Sequence, residues 1–243
     1  MKTVASGIAG VYLMGPADEA FAGAVAALYG QAPDAVLRPA LPFAVIVLND
    51  TPRAIALLGV RFDMLNPQAK AYSVVHYADT LRHPETAALQ PGAMRFVCAE
   101  PLYTDLVLRQ AREVPARGPM NLESLRKALQ VRASIDCVAW DDGEFAGPDS
   151  LAAFERFGVE REAELAFVEE VLAAGGAVER VILKAIQPKA SDAAAVQQDR
   201  ALMARKVLAK RLQEALAAGG TEAAVERARS HRVRVKLRRS QTG

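Results

Sequence analysis

Histidine and cysteine are scarce in this 243-residue chain, which has three histidines (His76, His83 and His231) and two cysteines (Cys98 and Cys137). It contains no CxxC pair and no Cys/His cluster, which argues against a structural zinc site. Each cysteine sits in an apolar, strand-like run, so both are expected to be buried thiols acting as small hydrophobes. A disulfide between them across a sandwich is the alternative, and only geometry decides it. Long apolar runs are missing as well, so no segment is expected to span a bilayer. The stretch MKTVASGIAGVYLMGPADEAFAGA places glycines, Pro16, Asp18 and Glu19 where a signal peptide would be apolar or small. A cytoplasmic location is expected.

Catalytic signatures are also lacking. There is no G-x-S-x-G, no Walker A and no Rossmann glycine pattern. Gly175-Gly176 and Gly219-Gly220 follow helical segments, so they read as helix stops and not as phosphate cradles. His76 or His83 beside Asp79 or Glu85 reads as a surface polar cluster. The expectation is a non-enzyme with no cofactor and no metal.

What is present is 51% apolar and 24% charged residues, an ordinary globular profile. The length holds one large domain or two small ones, with enough chain to bury a core. The abundance of alanine, and of arginine over lysine, carries no functional weight. The net charge of +2 hides an asymmetry. From Glu226 onward there are seven basic residues (Arg227, Arg229, Arg232, Arg234, Lys236, Arg238, Arg239) against one acid, leaving about −4 on the rest. Such a tail suits nucleic acid, anionic lipid or an acidic partner.

Along the chain, Val4–Met14 reads as a strand. Pro16 then opens a helix with Phe21, Ala24, Val25 and Leu28 on one face and Gly30 as its stop. Prolines 33, 39 and 42 keep the linker 31–42 extended. Five strand signals follow: FAVIVLND (43–50), RAIALLGVRFDML (53–65), AYSVVHYAD (71–79), MRFVCAE (94–100) and SIDCVAW (134–140). The N-D-T-P, N-P and P-G turns between them predict an antiparallel sheet, as in a sandwich. LYTDLVLRQAREV fits strand or helix, and Asn121 reads as the cap of a short helix with Leu122, Leu125 and Leu129 inward.

After Asp149 the period becomes helical. Leu151, Phe154, Leu165, Val168 and Leu172 mark one helix, and Val178, Val181, Ile182, Ala185 and Ile186 a second. Ser191 is placed to cap a long helix running to Gly219-Gly220, with Val196, Met203, Leu208, Leu212 and Leu216 near one side. Thr221 caps a last short helix. HRVRVKLRR then alternates strictly, which predicts a strand with Arg232, Arg234, Lys236 and Arg238 on one face and Val233, Val235 and Leu237 on the other.

The runs VIVLNDTPRAIALLGVRFD and LQPGAMRFV resemble those of a bacterial immunoglobulin-like β-sandwich domain. There a strand ends in a polar N-x-T/S turn, its partner carries an inward apolar set, and a P-G turn leads to a later strand. The likeness covers residues 41–97 and implies architecture, not activity.

The segment AWDDGEFAGPDS (139–150) contains four carboxylic acids. Asp142-Gly143 suits a two-residue type I′ hairpin between Trp140 and Phe145, with Asp149 or Ser150 capping the next helix. A calcium site from Asp141, Asp142, Glu144 and Asp149 is the alternative, but the spacing matches no EF-hand.

The predicted fold is α+β: an N-terminal strand, helix and linker (1–42), an antiparallel immunoglobulin-like β-sandwich (43–148), a helical region (149–230) and a basic terminal strand (231–243). The expected role is a non-catalytic protein-binding or assembly module, its partner another protein or a second copy. Candidate surfaces are the sandwich edge, the helical face around Phe154, Phe157 and Phe167, and the strand bearing Arg232, Arg234, Lys236 and Arg238. Phe157 and Phe167 fall partly off the apolar stripe, which is what suggests a partner. One rival is a nucleic-acid-associated protein using Arg232, Arg234, Lys236, Arg238 and Arg239, although base-stacking aromatics are missing there. The other is a metal-dependent hydrolase with an acidic site at Asp141, Asp142 and Glu144.

Overall fold

The computed structural model describes residues 1–30, 37–80, 87–100, 104, 122–187, 199–232 and 236–240. The ambiguous stretch at 102–114 apart from Thr104, and Asn121, His83, Glu85, Ser191, Val196 and Arg234, lie outside them. The fold mixes α and β, in two compact units: residues 1–151 with 240–243, and Ala152–Arg239.

Among its described residues the first unit has eight strands: β1 (Lys2–Thr3), β2 (Val11–Met14), β3 (Ala44–Asn49), β4 (Ile55–Leu65), β5 (Ala71–Asp79), β6 (Met94–Cys98), β7 (Gln130–Trp140) and β8 (Glu144–Ala146). The same residues form the helices α1 (Glu19–Tyr29) and the short α2 (Leu122–Lys127). Three strands form one sheet in the order β2-β3-β6. The other sheet runs β5-β4-β7-β8, with β1 also on β7. The pairs within residues 43–148 are all antiparallel; β2 joins β3 antiparallel and β1 joins β7 in parallel from outside those bounds. Residues 1–30 are not a separate segment, because β1 and β2 complete the sheets and α1 packs on β3 and β6.

The β-branched runs form strands because each buries a row of side chains. Both sheets and α1 feed one apolar cluster that includes Phe21, Ile46, Phe62, Phe96, Val131 and Val138. Full burial of such side chains contributes roughly 1.5–3 kcal/mol each. Leu129 is 64% exposed, so the inward position expected for it is wrong. Asn49 closes β3 as a buried hub. Its Oδ1 accepts from Thr51 N (3.1 Å) and Oγ1 (2.7 Å), and its Nδ2 donates to the carbonyls of Arg53 and Leu89 (both 2.8 Å). The N-x-T turn is therefore a satisfied polar core.

Strand β7 bulges at Asp136: Cys137 opposes Gly59, and Ile135 opposes Val60. The carbonyl of Asp136 also lies where a Cβ on Gly147 would fall, at 2.5 Å, and Gly147 has φ +124°, so only glycine fits there. Both cysteines are buried and neither is in a disulfide, and burial pushes the Cys98 thiol up to about 12.

The second unit is built from α3 (Ala153–Ala173), α4 (Val178–Ile186) and α5 (Arg200–Arg232), which is broken at Gly219-Gly220. Gly220 adopts φ 71°, so the chain turns there and Ala224 and Ala228 return to the same core as Leu208 and Leu212. Leu202 N donates to Asp199 Oδ1 (3.0 Å), which caps the start of α5. Helix α3 starts later than expected. Ala152 precedes it in a left-handed conformation with no side-chain cap. Ser150 instead donates N–H and hydroxyl to Asp136 Oδ1 (3.1 and 2.5 Å). The core-facing stripe of α3 is Phe157, Glu160, Arg161, Glu164, Phe167, Val168 and Val171, with Leu151 49% exposed, so the predicted stripe is rotated from the observed one.

Candidate functional site

Four places concentrate unusual chemistry. The acidic loop of the first unit is a three-residue turn. Gly143 N donates to Trp140 O (2.9 Å), and Gly143 alone of the pair has positive φ (85°). A type I′ turn needs positive φ at both central residues, so that expectation is corrected to a turn ending in left-handed glycine. Arg53 spans the carboxylates, bonding Asp142 and, at 2.8 Å, Glu144, with its guanidinium 4.5 Å from the Trp140 ring centroid. The Ser240 hydroxyl also donates to Glu144 (2.6 Å). Ser240 and Arg53 together hold the Glu144 carboxyl below its usual value. The cation between Asp142 and Glu144 is thus a guanidinium. Among the described residues no group of three His, Cys, Asp or Glu is arranged to hold a metal.

In the second unit, α3 and the end of α5 share a buried polar cluster. Arg161 Nη2 donates to the carbonyl of His231 (2.9 Å), and Arg161 Nη1 lies 2.8 Å from His231 Nε2. Glu164 Oε2 is 3.1 Å from that same ring nitrogen. All three side chains are nearly inaccessible, so the cluster ties the two helices together and offers no open face.

The basic C-terminal segment differs from its expectation. His231 and Arg232 end α5 and do not begin a strand, and among the described residues beyond them Arg238–Arg239 form a short strand. A helix that buries His231 takes precedence over the alternation of valine and arginine. Lys236 and Arg238 are exposed. Arg239 pairs with Glu155 (2.6 Å) and lies over Phe154 (4.6 Å). Phe167 is wholly buried in the core of the second unit beneath the Arg205 guanidinium, and Phe157 is buried too. Their off-stripe spacing matches the rotated stripe of buried residues on α3.

The fourth place is the outer edge of β5, which ends the order β5-β4-β7-β8. Asn66 N donates to Lys70 O (3.0 Å) and Thr80 N to Ala56 O (2.8 Å), at the two ends of the β4–β5 ladder. Their register is continuous through Val60↔His76, Phe62↔Val74 and Met64↔Tyr72. Bonding alternates along an antiparallel strand, so the even-numbered residues of β5 bond β4. Ala71, Ser73 and Val75 consequently turn N–H and C=O outward, and no backbone partner meets those groups among the described residues. The side chains follow the same alternation. Val74 packs on the core, and His76 meets the Phe62 ring at 5.5 Å. On the other face Ser73 donates to Asp63 (2.5 Å) and accepts from Arg61 (3.1 Å). Those bonds to Ser73 and Arg61 outweigh partial burial and keep the Asp63 carboxyl below its usual value.

No family model, characterised protein or solved structure matches the chain.

The sequence offered a sheet edge as a candidate surface without saying which strand forms it. The available signal was the composition of AYSVV (71–75), which has no charge, proline or glycine to discourage strand pairing.

Proposed function

We propose that this chain is a non-catalytic protein-binding or assembly module that receives an extended polypeptide segment along β5. The observation that carries the reading is the outward row of backbone groups at Ala71, Ser73 and Val75, on a strand whose inner side is paired with β4. An added strand would gain main-chain hydrogen bonds there, with alternate side chains reading the flanking surface. The exposed Tyr72 supplies an aromatic contact beside them. The immunoglobulin-like likeness belongs to the same proposal, supported by two sheets feeding one core. So does a reducing, cytoplasmic setting, supported by two buried thiols that are not joined in a disulfide. No helix among the described residues is long and apolar enough to cross a membrane.

The test is selection of a phage-displayed peptide library on the immobilised full chain, followed by amide exchange of the bound complex. Selected peptides should protect the amides of Ala71, Ser73 and Val75, and Ser73→Pro should abolish their binding. Peptides that bind Ser73→Pro as well as the parent would refute strand addition.

A further inference from the structure

We infer that the occupant of the β5 edge is a second copy of this chain, paired antiparallel about a twofold axis at Ser73. The inference rests on the strand-addition reading and adds the partner and the register. With the axis at Ser73, the outward residues fall opposite one another: Ala71 meets Val75 of the partner, Ser73 meets Ser73, and Val75 meets Ala71. All three are residues whose N–H and C=O face away from β4. The pairing therefore forms on the order of six main-chain hydrogen bonds and leaves no outward group of this stretch unmatched. The β4-β5 half-sheets of two copies become one continuous sheet, through an isologous contact that closes on itself as a dimer.

The side chains fit the same register. Tyr72, 42% exposed, falls opposite the partner's Val74, and Val74 opposite the partner's Tyr72. These are non-hydrogen-bonded positions, where side chains approach most closely, and aromatic with β-branched is a favourable cross-strand pair. Self-pairing also raises no charge conflict. Residues 71–75 are uncharged, and Arg61 and Asp63 pair at 2.7 Å within one copy. Lys70, next to Ala71, falls opposite the partner's His76 in this register, so the pairing sets no two residues of like fixed charge opposite each other.

Five paired residues span roughly 17 Å, so the interface falls below the roughly 1,200 Å² of a tight complex. Dissociation constants on the order of micromolar or weaker follow.

The experiment is sedimentation velocity of the full chain from about 10 µM to about 1 mM, a range that brackets such a constant. Residue-resolved amide exchange is measured at both ends of the range. The expected result is a monomer–dimer equilibrium in which exchange at Ala71, Ser73 and Val75 slows by about tenfold or more at high concentration. Tyr72 and Val74, bonded to β4, should stay protected throughout. Ser73→Pro removes an outward N–H without touching the β4 ladder and should be monomeric, as proline on an edge strand is tolerated. Ser73→Ala keeps that N–H while losing the hydroxyl bonds to Asp63 and Arg61, and should dimerise like the parent. A chain that stays monomeric at the highest concentration overturns the inference, as does a dimer unaffected by Ser73→Pro. Protection of the alternate amides that does not change with concentration also overturns it. If the chain is monomeric yet library peptides protect those amides, self-pairing fails and strand addition stands. If no peptide protects them either, both fall.

Discussion

Asn49→Asp changes one atom in a buried side chain of the first unit that makes four hydrogen bonds. Asn49 has no exposed surface, and its Nδ2 reaches the carbonyls of Arg53 and Leu89 at 2.8 Å each. In the variant an acceptor oxygen replaces that donor. The Oδ1 bonds from Thr51 survive, so the fold of the turn is retained. The Leu89 carbonyl keeps Ile55 N as a donor, and the Arg53 carbonyl shares the single Thr51 hydroxyl proton with Oδ1, so each lost bond costs about 1 kcal/mol. The larger cost is ionisation. A carboxyl buried against two carbonyl oxygens has its pKa raised by about 2–3 units. At about 1.4 kcal/mol per unit, the total loss at neutral pH is about 5 kcal/mol. Because the folded-state value is raised, the ionisation part is absent below the unfolded value of about 3.9 and grows as pH rises toward the folded one. Trp140, the chain's single tryptophan, lies in the same unit and reports the transition in urea. The expected result is a large fall in midpoint at neutral pH that shrinks to about 2 kcal/mol in acid. A loss under about 1 kcal/mol at neutral pH, or one independent of pH, would refute the reasoning.

Phe167→Ala empties a fully buried site in the second unit and should cost about 3–5 kcal/mol, read from the helical circular dichroism during urea unfolding; an unchanged midpoint would show that the ring is not core. Gly147→Ala places a Cβ 2.5 Å from the Asp136 carbonyl at a φ of +124° and should cost more than about 2 kcal/mol; a parental Tm would disprove that crowding. Glu144 is held below its ordinary value by Ser240 and Arg53, so its contribution is present above about pH 4.3 and disappears as pH falls through the lowered value. Tm against pH should therefore fall less steeply in acid for Glu144→Gln than for the parent, and parallel curves would rule out the linkage.

Much of the fold was legible where one physical signal dominated. The strand at 71–79 appears with the boundaries read from its β-branched and aromatic run, and the other four strand signals were found with shifts at their ends. The second unit was harder. Arg161 and Glu164 occupy core-facing positions of α3, so a search for apolar residues at helical spacing settled on Leu151, Phe154 and Leu165. A buried charge cluster looks like a solvated face until its partner is known, and here the partner is His231, 70 residues away from Arg161. The same distant contact explains the misread C-terminus, where alternation at 231–238 predicted a strand but burial of His231 extended the helix.

The candidate site divides in the same way. That AYSVVHYAD forms a strand follows from local sterics and the period of two, and that 71–75 lack charge and proline is plain in the residues. Which side of the strand pairs, and that it ends its sheet, depends on where β4, β7 and β8 settle, through contacts between residues distant in sequence. Composition determined that an edge here would accept another strand, because only local chemistry is involved. Tertiary structure alone decided that this strand is the edge, because hydrogen-bond partners in a sheet are assigned by packing and not by neighbours in the chain.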